Sequence, residues 1–150
     1  MRSKMDEIAS TLPGYQTVLG MYGVGPSLGP QLIAEIGDIT RFTHRSSLTA
    51  YAGVDPGKND SGDKNQKSVH ASKCGAPRLR KTLFQIMDIM IKNGPKEDDP
   101  VSTFLFKKKS EGKKFRVYIT AGANKFLRVY YGKVKECIRN QQSRALDLRF

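Results

Sequence analysis

Ser61 stands beside Gly62 in a lysine-rich stretch, and a serine hydroxyl set among cations can attack a phosphodiester. That attack needs positive charge to hold the scissile phosphate and to stabilise the charge developing on its oxygens. Lys58, Lys64, Lys67 and Lys73 flank the serine, and Arg78, Arg80 and Lys81 follow. Gly62 removes the side chain that would hold the backbone away from a phosphate. His70 is close in sequence, but nothing in its spacing sets it as a base. Asn59-Asp60-Ser61-Gly62 is also good turn chemistry, so the residues alone leave both readings open. Asp55, Asp60 and Asp63 could touch a metal, yet carboxylates in such stretches usually cap turns, and no metal site is expected in this chain. His44, Cys74 and Cys137 read as surface or packing residues.

A second candidate is Gly23-Val24-Gly25, which lies between two short apolar segments. Val18 and Met21 precede it; Gly29, Leu32 and Ile33 follow. This is the layout of a helix-hairpin-helix, in which Gly23 and Gly25 let the backbone approach a phosphate and N–H groups at the second helix start bind it. Such contacts position a duplex without reading its sequence. Gly23-x-Gly25-x-x-x-Gly29 also mimics a dinucleotide fingerprint, but Pro26 and Pro30 crowd it and no strand-helix-strand unit follows. An ordinary tight turn is the remaining alternative.

Helices must position these residues. Residues 1–12 read as the end of a polar helix stopped by Pro13-Gly14, so 1–14 is the end of a linker or coiled helix. Tyr15 to Met21 supplies a turn or two, and Pro26 to Ile36 a helix with proline in its first turn. Ser46 or Ser47 can cap a brief helix through Tyr51 that ends at Gly53. From Arg78, the spacing Leu79, Leu83, Ile86/Met87, Met90 is helical, and Asn93-Gly94-Pro95 ends it. Pro100 to Lys109 and Lys114 to Arg139 give two more helices. Tyr118, Ala121, Lys125, Leu127/Arg128 and Tyr131 mark the last as amphipathic. The tail, 140–150, shows no strong pattern. Gly57 to Pro77 has no aromatic residue and cannot bury itself, and connections this long are usually functional or disordered. The expected fold is mainly α: a small helical domain with a helix-hairpin-helix and a long basic loop.

Charge favours a polyanionic partner. The chain has 150 residues and a net charge of +12, with 26 Lys+Arg against 14 Asp+Glu. Residues 1–50 are neutral, so residues 51–150 hold the whole surplus, and that asymmetry points to nucleic acid. A single cluster such as Lys107-Lys108-Lys109 reads as a solvated face. No stretch is apolar for the roughly 18 residues a membrane span needs, so no membrane partner is expected. The N-terminus leads into no apolar signal core, and two cysteines make no disulfide framework; a cytoplasmic setting is the expectation.

Several of these pieces occur together in one known order. They are Gly23-Val-Gly-Pro-x-x-Gly-Pro-x-Leu-Ile-Ala-Glu-Ile-Gly-Asp-Ile-x-Arg-Phe42, Leu48-Thr-Ala-Tyr-Ala-Gly-Val-Asp-Pro56, Ser61-Gly62, Ala71-Ser-Lys-x-Gly75 and Leu79-Arg-Lys. The set resembles the C-terminal domain of insertion-sequence transposases of the one-ten/one-sixteen/nine-oh-two group. Ala123-Asn-Lys-Phe-Leu-Arg128 looks like that domain's closing helix, so the resemblance covers 15–139. It implies that Ser61 is the nucleophile that becomes joined to DNA. It also implies a RuvC-like partner domain whose acidic quartet binds Mg2+, and a structured guide RNA; a homo-oligomer is left open. The RuvC-like pattern is absent from these residues, and Cys74 stands where members usually carry a basic residue. The expectation is therefore a fragment, truncated product or half of a split enzyme that binds nucleic acid without recombining it alone.

Overall fold

The computed structural model describes residues 2–55 and 75–149. Every regular element among them is a helix: α1 Arg2–Ser10, α2 Tyr15–Leu19, α3 Gly25–Ile36, α4 Arg45–Ala52, α5 Pro77–Asn93, α6 Pro100–Ser110 and α7 Phe115–Asp147, with a 3-10 turn at Ile39–Arg41. The mainly α expectation holds. None of these helices is long and apolar enough to cross a membrane.

The ends of α3, α5 and α6 follow from local chemistry. Each has proline in its first turn, where the missing N–H costs nothing, and α3 and α5 stop at Gly37 and Gly94. Asp99 caps α6, its Oδ2 accepting from the Ser102 N–H at 2.7 Å. At α4 the expected serine cap is corrected. The cap is His44, whose Nδ1 accepts from the Ser46 N–H at 3.2 Å, while Ser46 sits inside the first turn.

The core runs along α5 and α7. Leu79, Leu83, Ile86, Met87 and Met90 of α5 are buried against Phe126, Leu127 and Tyr130 of α7 and Leu32, Ile33 and Ile36 of α3. The buried stripe of α7 is Tyr118, Ile119, Gly122, Ala123, Phe126, Leu127, Tyr130 and Val134. It is rotated from the expected one, leaving Arg128 exposed and Lys125 at the margin. Gly122 lets α6 and α7 close, because a Cβ there would lie 2.8 Å from Leu105 and 2.9 Å from Met87. α1 packs on α3 and contributes Ala9 to the core. α7 also passes its expected end: it continues as exposed helix from Arg139 to Asp147. At 33 residues it is about 50 Å long.

Candidate nucleic-acid interface

The C-terminal end of α4 gathers both ends of the serine-bearing stretch. Gly53 takes a left-handed conformation (φ 73°) as the cap of α4, and its N–H donates to the Ala50 carbonyl. The chain then leaves through buried Val54 and half-buried Asp55. Asn124 of α7 holds this exit: its Nδ2 lies 3.3 Å from the Val54 carbonyl and 3.4 Å from Asp55 Oδ1. The chain is again described at Gly75. A Cβ at Gly75 would overlap the Tyr51 carbonyl, and φ there is 150°, so only glycine fits. The Ala76 N–H donates to that same carbonyl at 2.7 Å, and α5 begins one residue later.

Tyr51 is itself braced. The Arg41 guanidinium lies over the rings of both Phe42 (4.6 Å) and Tyr51 (4.7 Å). Arg41 Nη2 donates to the Ile36 carbonyl at 2.6 Å, and the Tyr131 hydroxyl donates to the Phe42 carbonyl at 3.0 Å. Three elements therefore fix the carbonyl that receives Ala76. Sequence reasoning missed Arg41, Tyr51 and Asn124 because none belongs to a charge run. A polar Asn124 facing the domain from a helix with a long apolar stripe was the available signal.

Ser61, Gly62, Lys58, Lys64, Lys67 and Lys73 fall in 56–74, outside the described residues, as do His70, Cys74, Asp60 and Asp63. Arg78 and Arg80 are described and stand in the first turn of α5, Arg78 exposed and Arg80 half-buried. Arg78 also acts on Glu35 of α3. Burial raises the Glu35 pKa above its usual 4.5, opposed by hydrogen bonds from Thr82 and Gln31 and by the Arg78 charge. One Glu35 oxygen, Oε2, is buried without a hydrogen-bond partner. Among the described residues, no group of three His, Cys, Asp or Glu could hold a metal ion.

The hairpin glycines have separate surroundings. Gly23 (φ 84°) is pressed on α5, where a Cβ would lie 2.9 Å from Met90 Cγ and 3.2 Å from the Ile86 carbonyl. Gly25 (φ 66°) faces open space, with nothing within 4 Å of where its Cβ would be. It opens α3, which has no side-chain cap and carries Pro26 in its first turn.

Comparison with known proteins bears on residues 15–100, which match the model of the Transposase IS116/IS110/IS902 family. That span is more than half of the chain. The chain belongs to this family. As a transposase-family chain it is similar to an uncharacterised 44.8 kDa protein of insertion element IS116 from Streptomyces clavuligerus, at 29% identity over 98 residues. The match covers 65% of this chain and 23% of that protein. In this transposase-family chain the matched span includes the hairpin, the whole 56–74 stretch and its attachment to α4, while Asn124 and α7 lie beyond it.

Proposed function

We propose that this chain is the nucleic-acid-contacting, serine-bearing part of an insertion-sequence transposase, with Ser61 as the nucleophile. The observation that supports it most is the joint anchoring of Asp55 and Gly75–Ala76 at the end of α4. A reactive group must be held to a fixed scaffold for its geometry to be productive. The Ser61 oxygen attacks the phosphorus, a deoxyribose hydroxyl leaves with a proton, and a phosphoserine ester replaces the broken ester. Bond energy is conserved, so strands exchange without a nucleotide cofactor. Lys58, Lys64, Lys67, Lys73, Arg78 and Arg80 contact the phosphates. The α2–α3 hairpin acts as a helix-hairpin-helix in which Gly25 meets the backbone, while Gly23 locks the turn to α5. In this reading a RuvC-like partner region carries the Mg2+ and a guide RNA selects the sites.

Ser61→Ala in a complete transposase containing this chain tests the reading. Covalent protein–DNA adducts on a denaturing gel should vanish while DNA affinity changes by less than about twofold. Unchanged adducts would leave a non-catalytic binding module. The 150-residue chain alone, with Mg2+ supplied, should bind DNA and yield no strand-transfer product.

A further inference from the structure

The α6–α7 turn concentrates charge that neither the serine reading nor the hairpin uses. Between Lys107 and Arg116 the chain carries six cations and a single carboxylate, Glu111. Among the described residues only Lys108 of these is ion-paired, with Glu111 at 3.4 Å. Lys107, Lys108 and Lys109 have a folding explanation, because cations suit the negative end of the α6 dipole. Lys113, Lys114 and Arg116 have none. They are exposed around the start of α7, the positive end of its dipole, where no acidic residue stands in the first turn and Lys114 makes no side-chain cap. Folding alone disfavours cations there.

Aromatic rings accompany the cations. Phe104 carries the Lys108 ammonium at 5.6 Å and the Lys125 ammonium, from α7, at 5.9 Å. Phe106 carries Lys109 at 5.8 Å. These contacts restrain three ammonium groups at the seam between the helices. Phe115 is different: it is 57% exposed, with its ring set edge-to-face (82°) on buried Tyr118 at 5.5 Å. Cations tracking a backbone beside a fixed, exposed ring are the parts of a single-strand binding surface, where phosphates meet the charge and a base stacks on the ring. A continuous duplex offers no free base face. Lys125 is the sequence neighbour of Asn124, which holds the exit of the 56–74 stretch. Arg116 and Lys125 are separated by about 14 Å of helix.

We infer that the α6–α7 turn, through Lys113, Lys114, Arg116 and Phe115, binds single-stranded DNA. It rests on the DNA-handling part of the proposed function, not on Ser61. The chain, titrated at one fixed salt concentration, should bind a fluorescent oligo-dT of about 16 nucleotides in preference to a duplex of that length. Replacing Lys113, Lys114 and Arg116 together by alanine should weaken oligo-dT binding about tenfold or more and flatten the salt slope by about 2. Phe115→Ala should cost oligo-dT about tenfold and the duplex less than about twofold. All four side chains are exposed, so the melting temperature should hold, and Arg116→Ala alone provides a milder second variant. Ser61→Ala should leave this binding unchanged, which separates its outcome from that of the nucleophile. Unchanged affinity of the triple variant, preference for duplex, or equal losses on the two DNAs for Phe115→Ala would overturn the inference. Tighter binding of oligo-U with the same losses would reassign the surface to RNA and overturn it too.

Discussion

Among the described residues, the α2–α3 and α6–α7 hairpins each carry a left-handed glycine in the turn, and they are built by opposite means. The α2–α3 hairpin lies in the charge-neutral N-terminal third and is held by apolar contact, with Gly23 against Met90 and Ile86, and Val24 buried. The α6–α7 turn, with Gly112 at φ 77° and open space around it, is held by the helices behind it and crowded with cations, of which Lys108 alone is ion-paired among the described residues. The glycine signature drew attention to the first, and the charge lies on the second. A glycine turn reports that the backbone comes close to something, and only the neighbours say whether that is a phosphate or another helix.

Substitutions at the turns break the comparison most directly. The largest effect is expected at Gly23→Ala, where left-handed strain adds to overlap with Met90 and the Ile86 carbonyl. About 2–4 kcal/mol should be lost in denaturant unfolding. Gly122→Ala, on the α6–α7 side, meets side chains that can shift, Leu105 and Met87, and should cost about 1–3 kcal/mol. Gly25→Ala and Gly112→Ala have open surroundings and should each cost about 1 kcal/mol. Gly25→Ala should additionally weaken duplex affinity and leave oligo-dT affinity unchanged, which electrophoretic shifts would report. A loss at Gly25 as large as at Gly23 would erase the distinction.

The smallest effect is a pH dependence at Glu35. Its pKa is raised by burial, so the folded chain holds the proton more tightly than the unfolded one. The stability this contributes is full near and below pH 4.5 and is lost as pH rises through the raised value. Glu35→Gln removes the titration. The melting temperature of the wild type, relative to this variant, should therefore fall between pH 4.5 and 7. A difference that rises with pH would reverse the sign.

Much of the helical pattern was legible because proline and glycine punctuate it: α3, α5 and α6 each carry proline in the first turn, and α3 and α5 stop at glycine. The end of α7 was not legible. Beyond Ile138 it buries nothing, so no apolar period marks it, and good helix formers such as Gln, Arg, Ala and Leu continue it instead. His44 was missed as a cap because an imidazole is a rare occupant of that position. The anchorage of the serine stretch was invisible for a different reason. Tyr51 meets Gly75–Ala76, and Asn124 meets Val54–Asp55, only through the fold, and two of the three hydrogen bonds use backbone carbonyls that carry no sequence signal. The expectation at Ser61 rests on the ordered motifs around it, because its chemistry alone favours a turn.

α5 has one more consequence. Near its C-terminal end it receives Gly23, and the Tyr22 hydroxyl is fastened to the Gly94 carbonyl at 2.7 Å; at its N-terminal end Ala76 is fastened to Tyr51. From Pro77 to Met90 is about 20 Å of rigid helix. That length is a ruler. On the nucleic-acid contact proposed above it would span about six base steps at 3.4 Å each, and substitutions on the surface of α5 leave its graduation untouched. A single-residue insertion within α5 would both lengthen the ruler and swing its far end by about 100°.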